Sequence, residues 1–304
     1  MKHRIVSLLP SSTEMVCALG LQDSLVGRSH ECDFPEGVES LPVCSRPKID
    51  FKLSSAAIDH QVKAMVHEGL SLYLVDEEKL KELQPTIILT QVHCKVCAVS
   101  LEDVQRAVCE WLDQSVPIVS LEPNSLGHIW EDIRKVASAL EVSDKGEEVV
   151  TSLQSRMETI QTKTKSLSRP RVATIEWIDP IMAGGNWLPT LVEMAGGENL
   201  FGHSAKNSPF IDFEKIKEAD PDILVILPCG FGIQRTRDEL SPLLQQPGWG
   251  ELSAVKNNRV YLTDGHHYFN RPGPRIVESL EILTEIFHSE RFDYGHRNKG
   301  WEML

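Results

Sequence analysis

The stretch Glu78-Lys-Leu-Lys-Glu-Leu-Gln-Pro85-Thr-Ile-Ile-Leu89 returns in the second half of the chain as Glu214-Lys-Ile-Lys-Glu-Ala-Asp-Pro221-Asp-Ile-Leu-Val225. Each copy reads as a short charged helix, a proline-marked stop and an apolar, β-branched run, so each predicts a helix feeding a buried strand. A second pair follows the same order. Leu19-Gly20-Leu-Gln-Asp-Ser-Leu-Val-Gly27 is echoed by Ala195-Gly196-Gly-Glu-Asn-Leu-Phe-Gly202, again a helix end, a turn and the next strand. Two halves on one plan predict two α/β lobes, and 304 residues exceed the roughly 100 to 200 usual for one domain.

Outward from the repeat, apolar β-rich runs alternate with amphipathic stretches, the pattern of parallel sheets covered by helices. Strands are predicted at 5–8, 25–27, 72–75, 86–90 and 118–120, then at 172–176, 223–227 and 260–263. Helices are predicted at 12–19, 56–67, 77–83 and 101–112, then at 188–195, 213–218 and 274–288. The pattern leaves strand order open. Between the halves, 125–167 carries no strand signal, and Val149, Val150, Leu153, Met157 and Ile160 form one helical stripe behind an Asp144/Glu147 capping box. The predicted division is an N-terminal lobe over 1–123, a helical connector over 124–169 and a C-terminal lobe over 170–304. About 22 helical residues in the connector would form a rod of roughly 33 Å.

A net charge of −13 argues against nucleic acid as a partner, because such surfaces concentrate Lys and Arg. Seven cysteines, an odd number, fit a reducing compartment better than a disulfide framework, so a cytoplasmic location is expected; a monomer is expected as well. The alternative is a periplasmic or lipid-anchored protein whose leader has been removed. No Gly-x-Gly-x-x-Gly, Walker Gly-Lys-Ser/Thr, Gly-x-Ser-x-Gly or His-Glu-x-x-His motif occurs, and an enzyme is not expected.

In open parallel sheets ligands bind beyond the carboxyl ends of strands, so the loops after strands carry the candidate chemistry. Four stand out: one with His30, Glu31 and Phe34; one with Gln91, His93, Cys94 and Cys97; one from Glu176 and Trp177 to Asn186 and Trp187; and one with His266, His267, Tyr268, Phe269 and Arg271. If the lobes face each other, these loops meet across one cleft. Aromatic side chains there suit stacking on a flat conjugated ligand, Arg271 suits a carboxylate, amide or phosphate oxygen, and a histidine suits a metal. Cys94 and Cys97 are candidate metal ligands, with His267 as a third. Without a second Cys-x-x-Cys, though, they do not complete a four-thiolate site.

On these features the chain resembles the cobalamin and ferric-siderophore substrate-binding proteins of ABC importers. The resemblance runs over nearly the whole length. It rests on Arg4-Ile-Val-Ser-Leu-Leu-Pro-Ser-Ser-Thr-Glu14, Gly27 through Asp33-Phe34-Pro35, Leu83 to Thr90, Gly196 to Phe201, Ala219 to Val225 and Arg271-Pro-Gly-Pro-Arg275. It implies two Rossmann-like lobes joined by a long backbone helix, a clamshell holding its ligand between them. It also implies docking to a membrane permease through one acid on each lobe, Glu78 and Glu214, the matched residues of the repeat. The family's ligand arginine falls on Arg271, and the residues before it on His267 and Tyr268. Positions of corrin-bracketing aromatics fall on Glu31, Gln91, Glu176 and Ser208. The insertions at 50–73 and 93–97 resemble a signal-less branch of the family.

The expected function is therefore non-catalytic binding of cobalamin or a related corrinoid in the interlobe cleft, for uptake or intracellular handling, with a metal at Cys94/Cys97 as an accessory feature. The alternatives are a ferric-siderophore or haem carrier, or a cytoplasmic metal- or corrinoid-dependent enzyme or cofactor-delivery protein.

Overall fold

The structure, a computed structural model, describes residues 3–68, 70–91 and 116–304. The chain forms two compact units, one of residues 1–53, 57–123 and 127–152, the other of 54–56, 124–126 and 153–304. Both are α/β, as the repeat predicts.

In the first unit the elements are β1 (Ile5–Ser7), α1 (Pro10–Ala18), β2 (Leu25–Arg28), β3 (Ser45–Pro47), α2 (Ser55–His67), β4 (Tyr73–Val75), α3 (Glu77–Leu83), β5 (Ile87–Gln91), β6 (Ile118–Leu121), α4 (Leu126–Ala139) and the start of α5 (Ser143–Thr164). The main sheet has the order β2-β1-β5-β6, with every neighbouring pair parallel. β5 is buried along its whole length, which is why its sequence is a continuous apolar run instead of an alternation. α1 begins at Pro10, where the fixed φ suits a first helical turn and the missing N–H costs nothing. α3 is capped by Asp76, whose carboxylate accepts from Lys79 N at 2.9 Å.

The run at 72–75 is a strand, but it does not join the parallel sheet. β4 pairs antiparallel with β3 as a separate two-stranded sheet. The helix expected at 101–112 lies outside the described residues.

The second unit contains β7 (Arg171–Trp177), β8 (Met182–Ala183), α6 (Leu188–Met194), β9 (Glu198–Asn199), α7 (Phe213–Ala219), β10 (Ile223–Ile226), β11 (Val260–Thr263), α8 (Ile276–Phe287) and β12 (Trp301–Met303). Short helical segments at Ile233–Asp238, Ser241–Leu244 and Ser253–Lys256 lie between β10 and β11. The sheet order is β12-β11-β10-β7-β8, with β9 also on β7. β7, β10 and β11 are parallel, while β8 and β12 close the edges antiparallel. Ile175, Leu224, Ile226 and Leu262 from these strands pack with Ile216 of α7 and Leu243 in one apolar cluster.

The repeat holds at the backbone. α3 ends at Gln84 with φ 45° and ψ 59°, and α7 ends at Asp220 with φ 41° and ψ 70°. Both are left-handed caps one residue before the proline, so each helix stops sharply and the chain enters β5 or β10. Between the halves, α4 and the 22-residue α5 replace strands. No helix among the described residues is long and apolar enough to cross a membrane.

Candidate functional site

β11 delivers the chain to Asp264-Gly265, which opens a π-helical turn over Gly265–Phe269. Asp264 organises this turn. Its Oδ1 accepts from the backbone N–H groups of His266 at 3.1 Å and His267 at 2.9 Å, and its Oδ2 faces His267 Nδ1 at 2.6 Å. Burial by itself would push this carboxyl up, but the side-chain and backbone hydrogen bonds from His267 outweigh it and hold Asp264 below its ordinary value. Gly265 is required by a close approach, since a Cβ there would stand 2.2 Å from the Pro228 carbonyl oxygen. Asn270 Nδ2 donates to the Gly265 carbonyl at 2.9 Å and fastens the far end of the turn.

The two imidazoles lie edge to face, 4.7 Å between centroids. Their outer partners set their tautomers. An ionised carboxylate only accepts, so His267 carries its proton on Nδ1 and its lone pair on Nε2. A guanidinium only donates, so Arg271, 3.0 Å from His266 Nε2, places the lone pair of that ring on the nitrogen it already occupies. Arg271 is itself buried. The Asp264–His267 pair is the carboxylate–histidine arrangement that orients an imidazole and raises the basicity of its second nitrogen for metal binding.

The other candidates of this unit lie on neighbouring loops. Trp187 is buried, and its Nε1 donates to the Phe269 carbonyl at 3.0 Å, which joins the loop before α6 to the histidine turn. Asn186 has φ 53° and donates from its backbone to Lys206 O at 2.7 Å. Glu176 accepts from Gly185 N at 3.3 Å, and burial pushes its carboxyl up. Trp177 donates to Asp179 O at 3.1 Å and packs 5.2 Å from the Phe231 ring. Tyr268 has the Arg275 guanidinium 5.5 Å from its ring centre.

In the first unit, His30 and Glu31 follow β2. His30 Nδ1 lies 2.9 Å from Ser45 Oγ, and burial, followed by the nearby Arg28, lowers its pKa to about 4. Phe34 is exposed and Gln91 is the buried last residue of β5. Glu78 and Glu214 occupy the first turns of α3 and α7, and Glu214 pairs with Lys217 at 3.4 Å. His93, Cys94 and Cys97 lie outside the described residues. Two chemistry-bearing residues were not singled out from sequence. Asp264 was legible as an acid three residues before His267 in a turn-forming Asp-Gly, and Asp33 as the acid after Cys32.

The expected cysteine-held metal is corrected. Among the described residues, His266 and His267 are the candidate metal donors of the second unit, with no cysteine beside them. No disulfide joins any of the described cysteines, Cys17, Cys32, Cys44 and Cys229, to another. A thiol binds metal as thiolate, and burial pushes Cys17 up to about 11 and Cys44 up to about 12.

The profile of the family described as "Periplasmic binding protein" matches residues 5–266. A "Vitamin B12-binding protein" of Vibrio parahaemolyticus is 24% identical over 290 residues, covering 94% of this chain and 90% of that one. Among solved structures, a Staphylococcus epidermidis protein described as a possible iron-binding (periplasmic solute-binding) protein aligns with a TM-score of 0.72 at 21% identity, over 95% of this chain and all of that one. A periplasmic heme binding protein from Pseudomonas aeruginosa aligns at TM-score 0.72 and 19% identity, over 96% of this chain and 95% of that one. The fold is thus the two-lobed α/β fold of periplasmic binding proteins that the sequence predicts.

The expected cytoplasmic location is corrected by the same matches, which are to periplasmic binding proteins. The cysteine argument behind that expectation fails physically. Cys32 and Cys44 are buried, and packing protects such thiols without a reducing compartment. The chain belongs to the periplasmic binding protein family, as a non-catalytic substrate-binding component of an ABC importer.

Proposed function

We propose that this protein carries an iron-bearing planar ligand, haem in the first instance, with His267 Nε2 as a donor to its iron. The observation that carries this reading is Asp264 on His267 Nδ1 at 2.6 Å. A carboxylate-oriented imidazole is a strong donor to ferric iron, and imidazole is the commonest haem ligand. Tyr268 and Trp177 offer aromatic faces for a flat macrocycle. The heme-binding relative of the same fold supports this choice. Glu78 and Glu214, first-turn acids of matched helices, are the proposed docking points for the permease.

A corrinoid is the second reading, favoured by the vitamin B12-binding relative that aligns over 94% of this chain. Cobalt also accepts imidazole nitrogen, so the histidine turn serves either metal. Parallel titrations with haemin, cyanocobalamin and a ferric hydroxamate siderophore, followed by visible absorption and tryptophan quenching, separate the readings. Haemin is expected to saturate at one equivalent with a shifted Soret band and to bind tightest. Saturation by cobalamin or the siderophore with no response to haemin would overturn the haem assignment.

A further inference from the structure

The end of the chain after α8 is bound to the histidine turn by a set of contacts that ligand binding does not itself require. Glu281 and Glu285, one helical turn apart on α8, hold it. Glu285 is 2% exposed, and its carboxylate accepts from Trp301 Nε1 at 2.6 Å, from His296 N at 3.3 Å and from Tyr294 N. Three N–H donors satisfy the oxygens of this buried side chain. Glu281 carries two ion pairs, to Arg156 of α5 at 2.8 Å and to His296 Nε2 at 3.0 Å.

From His296 two routes lead to the turn. Through space, its ring stands edge-on to Tyr268, 6.0 Å between centroids at 73°. Through the backbone, the His296 carbonyl accepts from Gly300 N at 2.7 Å, and the Gly300 carbonyl accepts from Asp264 N at 2.9 Å. Asp264 is the residue that orients His267. The linkage has little slack, because a Cβ on Gly300 would fall 2.7 Å from Ile282 Cδ1 and 3.4 Å from Tyr268 Cε2. Trp301, next in the chain, is paired with Thr263 across the β11–β12 ladder.

We propose that His296 is a positioning residue for the His266–His267 turn, and that its ion pair with Glu281 is a proton-dependent clasp making ligand affinity a function of pH.

The charges around His296 favour its protonated form. Glu278, Glu281 and Glu285 face it from α8, Arg156 reaches Glu281 from α5, and Tyr294 lies on its own segment near the same acids. Tyr268 faces it from the turn, and the Arg275 guanidinium lies 5.5 Å from the Tyr268 ring centre. Burial opposes the charge on His296, but the hydrogen bond to Glu281 and the three acids outweigh it and raise its pKa above 6.5. The sign follows. A raised histidine pKa means the clasp is complete below pH 6.5 and is lost as pH rises through the higher folded value. Acid therefore holds the turn in its ligand-ready geometry, and alkali slackens it.

The inference deepens the reading of His267 as a ligand donor and rests on it for the affinity effect. Two measurements keep them distinguishable. In ligand-free protein, the imidazole NMR signals of His267 should shift with the titration midpoint of His296, and that component should vanish in His296→Gln. With haemin, wild-type affinity should weaken roughly two- to fivefold from pH 6 to pH 8.5, the range a partly exposed ion pair supports. His296→Gln should stay at the weak level across that range, and His296→Arg, permanently charged, should stay at the tight level. Retention of the wild-type pH profile by both variants, or His267 signals blind to His296, would overturn the clasp while leaving haem binding intact. Coupled NMR signals without haemin binding would support the clasp and reject the haem assignment.

Discussion

At the residue scale, the site depends on which groups surround a titratable atom. Asp264 is half-buried yet acidic because three hydrogen bonds converge on it. Asp132 of α4 shows the opposite outcome. Its Oδ1 accepts only a long bond of 3.4 Å from Glu122 N, its Oδ2 is buried without a partner, and burial raises its pKa from 3.8 to about 6. The folded protein thus holds this proton more tightly than the unfolded chain. The stabilising contribution is complete below pH 3.8 and lost as pH rises through about 6. Asp132→Asn is expected to match the wild type at pH 4 and to be about 1–2 kcal/mol more stable at pH 8, after allowance for solvent screening. Urea midpoints at the two pH values check this, and equal midpoints at pH 8 would contradict it. Sequence showed His266 and His267 as chemistry-bearing because they follow a strand. It did not show that Arg271 lies against His266, because that contact depends on the local path of the turn.

At the element scale, the repeat was the most legible feature, since its information is local. Leu83-Gln84-Pro85 and Ala219-Asp220-Pro221 each encode a helix stop, and both stops take the left-handed cap. β5 and β10 were legible because full burial demands unbroken apolar runs. β12 was not, because Trp301-Glu-Met303 is an edge strand whose partner, β11, lies far back in the sequence. β3 was missed for a related reason. Ser45-Arg-Pro47 has no apolar alternation, and it exists as a strand only by pairing with β4. The π-helical turn reads as a loop in sequence, yet its geometry depends on Gly265. Gly265→Ala should cost about 1–3 kcal/mol through the clash with the Pro228 carbonyl, seen as a Tm lower by several degrees together with weaker haemin binding. An unchanged Tm would show that the backbone approach is not tight.

At the scale of the whole molecule, two α/β units were predictable because length, repeat and connector agree. Ligand and compartment were less accessible. Cysteine number misdirected the location because it counts thiols without showing that Cys32 and Cys44 are buried. Ligand identity turns on a few side chains grafted onto a fold shared by relatives described as binding vitamin B12, heme and iron. The central claim is that His267 Nε2 binds the iron of the ligand. The most direct measurement is the visible and electron paramagnetic resonance spectrum of the ferric haemin complex, in wild type and in His267→Ala. The wild type should show a nitrogen-ligated ferric spectrum that His267→Ala loses and that added imidazole restores. A spectrum unchanged by His267→Ala would contradict the assignment.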